Sequence, residues 1–369
     1  MRIATLSNAS VVHTRRWVEH FRARGHEVRL WSLEPGPEAL PHDRLPRAPL
    51  PGWLRYPLAL PALERALAAF DPDLVDAHFV PNYGLLGALA GRRPLVVTAW
   101  GSDLLTVGRD PLRRRRARFV MRRADAVLVD SGNLGAAARE LGASPERLHV
   151  IPWGVDRARF RPAALREPGL LVSVRMHERI YDLPALIAGV KPVLERRPGA
   201  RLVIAGDGSL RAALERLARA TLPAGRFEFA GRLDPGPLAG LLGRAEICLS
   251  ASLSDSTSVS LLEAMACGAV PVVSDIDGNR EWVGEGDGAR MFPPRDSAGV
   301  TRALERALAD PAWLEAARAR NLRVIAERGD WSANMGRIEA LFGSLVAAAG
   351  GRRGGDVASA GPARSGGPG

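Results

Sequence analysis

Asp255 and Glu263 are separated by seven intervening residues in the stretch SDSTSVSLLEAMACGAVPVVSD, residues 254–275, where a hydroxyl-rich loop runs into an apolar helix. A carboxylate on such a helix gains nothing unless it is exposed or partnered. With a helix start near Ser258, the amides around Thr257, Ser258, Val259 and Ser260 have no intrahelical acceptor, which makes an anion site that needs no lysine. Phosphate is the fitting guest. Glu263 then lies one turn beyond Ser260 on the same side, and its two oxygens suit the paired hydroxyls of a ribose. Asp255, in the preceding loop, could hold hydroxyls of a second sugar. Phosphate, ribose and another sugar together make a nucleotide sugar. The plainer alternative is that Asp255 is a cap-type residue and Glu263 a solvated helix glutamate.

These residues need a scaffold, and the pattern along the chain predicts one. Residues 2–7, 27–33, 73–77, 94–100, 125–131 and 148–152 read as short apolar strands separated by helical periods such as VVHTRRWVEHFRAR. Near-continuous apolar strands alternating with helices imply a parallel sheet covered on both faces. A second series, from GLLVSVR at 169 to ARMFPP at 289, repeats the architecture. The expected fold is α/β: two Rossmann-like parallel-sheet domains, 1–157 and 168–330, facing across a cleft, with 156–168 as linker. A helix over 331–348 is expected to cross back to the first domain, and 349–369 to be a disordered tail. Residues 34–60, rich in proline, read as a surface excursion. Ligands of open parallel sheets bind beyond the carboxyl ends of the strands.

A length of 369 residues fits two domains, and 46% apolar with 25% charged residues fits a soluble globular protein. Cys248 and Cys267 lie in apolar segments without metal-ligand spacing, and no signal segment precedes the first strand, so a cytoplasmic location is expected. No metal and no cofactor are expected, because a nucleotide sugar is a substrate. The net charge is +11, yet Lys191 is the only lysine among 51 basic residues, which reads as a coding bias. The run RRRRARFVMRR at 113–123 is the densest basic segment. Through Arg113, Arg114, Arg115 and Arg116 it offers peripheral contact with an anionic inner membrane face, assisted by WLRYPLAL at 53–60. A nucleic-acid partner is the less favoured use of such charge.

LLEAMACGAVPVVSD, with RGHEVRL at 24–30, IPWGVDRARFRP at 151–162, RLVIAGDGSLRAAL at 201–214 and FAGRLD at 229–234, resembles the GT-B glycosyltransferases of glycosyltransferase family 4. The resemblance covers nearly the whole chain. Asp255 stands where the first glutamate of the family's E-x7-E signature usually stands. By position, the resemblance implies that Glu263 holds the ribose, Asp255 the transferred sugar, and the amides of Ser258 to Ser260 the phosphates. It also assigns Arg175 to the donor diphosphate, with Arg179 in place of a usual lysine. Gly231, Arg232 and Leu233 would meet the base, and Gly206 would let the backbone approach the nucleotide closely. The implied reaction is metal-independent transfer of a sugar, with retention of configuration, from a nucleoside diphosphate donor, UDP before GDP, to an acceptor hydroxyl. The diphosphate's developing charge then falls to cations and a helix terminus.

On the acceptor side, Asn8, Ser10 and His13 follow the first strand, His78 the third, and Trp100 and Asp103 lie at and just beyond the end of the strand PLVVTAW. Relatives often carry a histidine where Trp100 stands; an indole there could stack on a sugar ring or simply pack. The acceptor is expected to be a sugar, a glycan or a lipid-linked molecule. Two other classes are weighed. An oxidoreductase would need G-x-G-x-x-G in a first β-α turn, which neither SNASVVH nor GDGSLR supplies. A non-catalytic nucleic-acid or membrane binder would use the scaffold and the charge alone.

Overall fold

The structure is a computed structural model and describes residues 1–50 and 52–358. The strands form two seven-stranded sheets, parallel throughout. In the first, β1 (Arg2–Leu6), β2 (Glu27–Ser32), β3 (Asp43–Arg44), β4 (Leu74–His78), β5 (Leu95–Thr98), β6 (Ala126–Val129) and β7 (Leu148–Val150) take the order β3-β2-β1-β4-β5-β6-β7. In the second, β8 (Leu170–Ser173), β9 (Arg201–Ala205), β10 (Phe227–Gly231), β11 (Ile247–Ser250), β12 (Val270–Ser274), β13 (Gly284–Glu285) and β14 (Gly288–Phe292) take the order β10-β9-β8-β11-β12-β14-β13. Every residue of β4, β5, β6, β8, β11 and β12 is buried, which is why these strands carry no polar alternation. Each sheet reverses direction of winding beside its first strand, and the loops at that point carry the residues singled out above.

The chain divides into two units. The first comprises Met1–Val129, Leu134–Ile151 and Gly336 onward; the second comprises Asp130–Asn133 and Pro152–Met335. The second unit therefore begins ahead of the expected linker, because Trp153, Val155 and Phe160 are buried. The helix Val12–Ala23 buries Thr14, Trp17, Val18 and Phe21 at helical spacing. The proline-rich segment after residue 34 contributes more core than expected: Leu40, Leu45 and Tyr56 are buried, and Tyr56 packs edge-on to Tyr83 at 5.1 Å.

The last helix, Trp331–Ala358, runs into the first unit. There Phe342 stacks on Phe21 at 5.2 Å, and Glu339 accepts from Arg24 at 3.0 Å and meets His26 at 2.9 Å. The helix continues through 349–358, where disorder was expected, since alanines 347–349 are the strongest helix formers. The rest of that expectation, residues 359–369, lies outside the described residues.

Candidate active site

Arg175 is the hub of the second unit's site. It leaves the end of β8 and is 7% exposed. Its Nη2 donates to Asp255 Oδ2 at 2.5 Å, and its Nη1 donates to Ser260 Oγ at 2.6 Å and to Ser258 Oγ. Its guanidinium lies 4.1 Å above the ring of Tyr181. The fan of donors thus joins the loop after β8 to the loop and helix after β11. Ser258 caps the helix Val259–Ala266, accepting from Leu261 N at 3.3 Å, so the helix starts where the sequence pattern placed it. The amides of Val259 and Ser260 open the first turn and have no intrahelical acceptor. Glu263, half-buried, lies one turn beyond Ser260. Its charge is felt at Cys248 and Cys267, whose thiols are pushed up to about 12 mainly by burial.

A cavity of about 220 Å³ adjoins this cluster, lined by Val174, Met176, Ala205, Gly206, Asp207, Arg232, Leu233 and Leu238. Gly206 has φ +142°, and a Cβ there would lie 2.3 Å from the Arg175 carbonyl oxygen, so glycine is required. Its amide donates to Gly231 O at 2.7 Å, locking the β9 and β10 loops together. Asp207 is occupied within its own loop, accepting from Gly208 N at 2.8 Å and from Arg211 at 3.3 Å. Apart from Asp207 and Arg232 the lining is apolar or glycine: a slot for a flat heterocycle beside a cationic, amide-rich corner.

Sequence reasoning brought Arg175, Asp255, Ser258, Ser260, Gly206, Arg232 and Leu233 to this region and missed four contributors. Tyr181, Met176 and Leu238 carry no motif of their own. Gly278, in the turn Asp277–Arg280, approaches the Asp255 loop so closely that a Cβ would lie 2.1 Å from Ser256 O. Arg179 is not joined to the cluster: it begins an exposed turn and forms no ion pair among the described residues. Beneath the loop, fully buried Asp130 accepts from Ser256 Oγ at 3.2 Å, and its carbonyl accepts from Thr257 Oγ1 at 2.9 Å. Burial, then the nearby Asp255 charge, raises its carboxyl to about 7.

In the first unit, the strand ends of β1, β4 and β5 gather an aromatic and polar cluster. His13 stacks on Trp100 at 5.5 Å and 21°, and burial followed by Arg16 lowers its imidazole to about 4. Asn8 Oδ1 accepts from Ser10 N at 2.9 Å and Ser10 Oγ at 2.7 Å, closing a local turn. Two expected acceptor-side residues are turned inward instead. His78 is fully buried, bridging Ser7 Oγ at 3.1 Å and Asp76 Oδ2 at 3.0 Å, while Asp76 also accepts from Trp17 Nε1 at 2.8 Å and Thr98 Oγ1 at 3.0 Å. Asp103 accepts from the amides of Val80 and Trp100, both at 2.9 Å, and burial raises its carboxyl. Both hold loops in place, because a buried polar group is retained where main chain needs a partner. The arginine run is also not uniform: Arg116 is buried, its guanidinium 4.5 Å above the Trp53 ring, so it takes no part in an outward surface.

Two parallel-sheet Rossmann-like units, one bearing a phosphate-type corner beside a heterocycle slot, define a glycosyltransferase of the GT-B fold. A family model for Glycosyltransferase Family 4 matches residues 10–159, and one for Glycosyl transferases group 1 matches residues 167–310. The chain belongs to glycosyltransferase family 4, group 1. It is 28% identical over 363 residues to the phosphatidyl-myo-inositol mannosyltransferase of Mycolicibacterium smegmatis, covering 91% of this chain and 90% of that protein. Among solved structures it is similar to the sucrose-phosphate synthase of Thermosynechococcus elongatus, with TM-score 0.81, 21% identity and coverage of 94% of this chain and 100% of that one. The Anabaena protein HepE in complex with UDP-glucose matches with TM-score 0.78 and 18% identity over 94% of this chain and 100% of that chain. Among the described residues, no helix is long and apolar enough to cross a membrane.

Proposed function

We propose that the protein moves a sugar from a nucleoside diphosphate donor to a hydroxyl of a glycan or lipid-linked acceptor, with retention of configuration and without a metal. The observation that carries this reading is the Arg175 fan, which sets one cation against Ser258, Ser260 and Asp255 at a helix start beside a base-sized slot. Negative charge developing on the leaving diphosphate would meet the guanidinium and the amides of Val259 and Ser260, a preorganised arrangement that favours the transition state. Asp255 is assigned to the transferred sugar and Glu263 to the ribose. The departing phosphate takes the acceptor proton, so a dedicated protein base is not required.

UDP is the preferred nucleotide. Guanine presents two adjacent donors that call for a carboxylate, and Asp207, the carboxylate lining the slot, is held by Gly208 and Arg211. Uracil's single N–H and two carbonyls suit main-chain partners. The mannosyltransferase relative's name includes a lipid acceptor, phosphatidyl-myo-inositol, which favours a lipid-linked acceptor here and a peripheral place at the inner membrane face.

Thermal-shift screening of UDP- and GDP-sugars tests the donor, since a ligand of the native state raises its stability by mass action. A UDP-sugar should raise the melting temperature and be slowly hydrolysed to free UDP. Absence of a shift and of nucleotide release with every donor would remove the assignment.

A further inference from the structure

The exposed apolar side chains of the first unit are not scattered. Among the described residues ten large apolar side chains stand exposed, and four of them, Leu50, Leu54, Leu58 and Leu112, come from two segments. Those segments are joined by buried Arg116, which lies over Trp53 and donates to Pro81 O at 3.4 Å. Leu112 is one turn before Arg116 on the same helix, Leu54 follows Trp53, and Leu58 is a turn further on, so the leucines flank one joint.

The helix Pro111–Arg123 carries seven arginines and no acidic residue. Its outward row is Arg115, Arg118 and Arg122, spaced i, i+3, i+7 and all exposed. None of the three forms an ion pair among the described residues. Each stands exposed beside an apolar strip, and Arg116 fixes the two segments from beneath.

We infer that this face docks onto an anionic lipid bilayer, with Leu54, Leu58 and Leu112 entering the headgroup region and Arg115, Arg118 and Arg122 meeting lipid phosphates. Charge complementarity selects the anionic surface, and the leucines select lipid over nucleic acid, whose phosphate backbone has no use for exposed aliphatic groups. The inference extends the lipid-linked acceptor reading, but its residues lie outside the donor site, so the two can fail separately.

Flotation of the full chain with vesicles of phosphatidylcholine, alone or mixed with phosphatidylglycerol, tests it. The protein should float with the mixed vesicles and not with the neutral ones. Arg115→Gln/Arg118→Gln/Arg122→Gln should lower partitioning about a hundredfold, since each arginine near an anionic surface is worth about fivefold. Leu54→Ser/Leu58→Ser should lower it about tenfold, each buried leucine contributing severalfold. A melting temperature unchanged from wild type would show that both variants fold. Equal flotation of wild type and either variant, or binding to neutral vesicles alone, would overturn the inference. So would tight duplex DNA binding that the arginine variant loses while vesicles are ignored.

Discussion

Arg175 and Asp255, assigned to diphosphate and sugar, are bound to each other at 2.5 Å. The site therefore satisfies its own cation with its own carboxylate, and under the proposed function a donor would exchange that pairing for a diphosphate on one side and sugar hydroxyls on the other. Both partners are largely shielded from water, so the exchange is sensitive to the loss of either.

Asp255→Asn separates the two roles. Turnover should fall about a hundredfold or more, the scale seen when one transition-state contact is removed. Affinity for UDP alone, measured by calorimetry, should hold or tighten, because the guanidinium loses its competing anion. A fall in UDP affinity as large as the fall in turnover would place Asp255 on the nucleotide.

Tyr181 positions the Arg175 guanidinium from beneath. A cation over an aromatic face contributes about 0.5–2 kcal/mol, so Tyr181→Ala should lower kcat/KM roughly two- to thirtyfold. Tyr181→Phe should retain activity, since the ring and not the hydroxyl lies under the cation. An equal loss in both variants would point to the hydroxyl.

Gly278→Ala probes the support of the Asp255 loop. Its Cβ would fall 2.6 Å from Asp255 O as well as against Ser256 O, and main chain must move to admit it. Overpacking of this kind costs about 1–3 kcal/mol, so a lower denaturation midpoint together with impaired transfer is expected.

Two buried groups tilt the pH dependence of stability in opposite senses. His13, at about 4 in the folded state against an ordinary 6.5, stabilises fully above pH 6.5 and loses that contribution as pH falls toward 4. Asp130, at about 7 against 3.8, favours folding most at low pH, and its contribution declines as pH rises to 7. Denaturant titrations should show Asp130→Asn more stable than wild type at pH 8 by on the order of 2–4 kcal/mol. His13→Gln should flatten the loss between pH 6.5 and 4.

Much of this was legible in the residues. Strands buried on both faces announce themselves as unbroken apolar runs, as LLVS of β8 and VPVVS of β12 do, and the hydroxyl of Ser258 before an apolar run marks a helix start. Contacts between distant segments were not. Nothing local to Tyr181 or Gly278 signals what lies above it. The Asp76 carboxylate gathers Trp17, His78 and Thr98 from three separate segments, and that gathering turned His78 inward. The arginine run misled because a row of identical letters hides the helix's rotation, which buries Arg116 and exposes Arg115 and Arg118.

The stacking of Phe342 on Phe21 bears on how the chain is made. All seven strands of the first sheet leave the ribosome before any of the second, yet Phe342, the stacking partner of Phe21, follows every strand of the second sheet in chain order. Until then Trp17, His20 and His26 cover Phe21 only in part, so a nascent chain carries one face of that ring open through translation of the second sheet, and chaperone occupancy should concentrate on the early segment and end when the helix bearing Phe342 emerges.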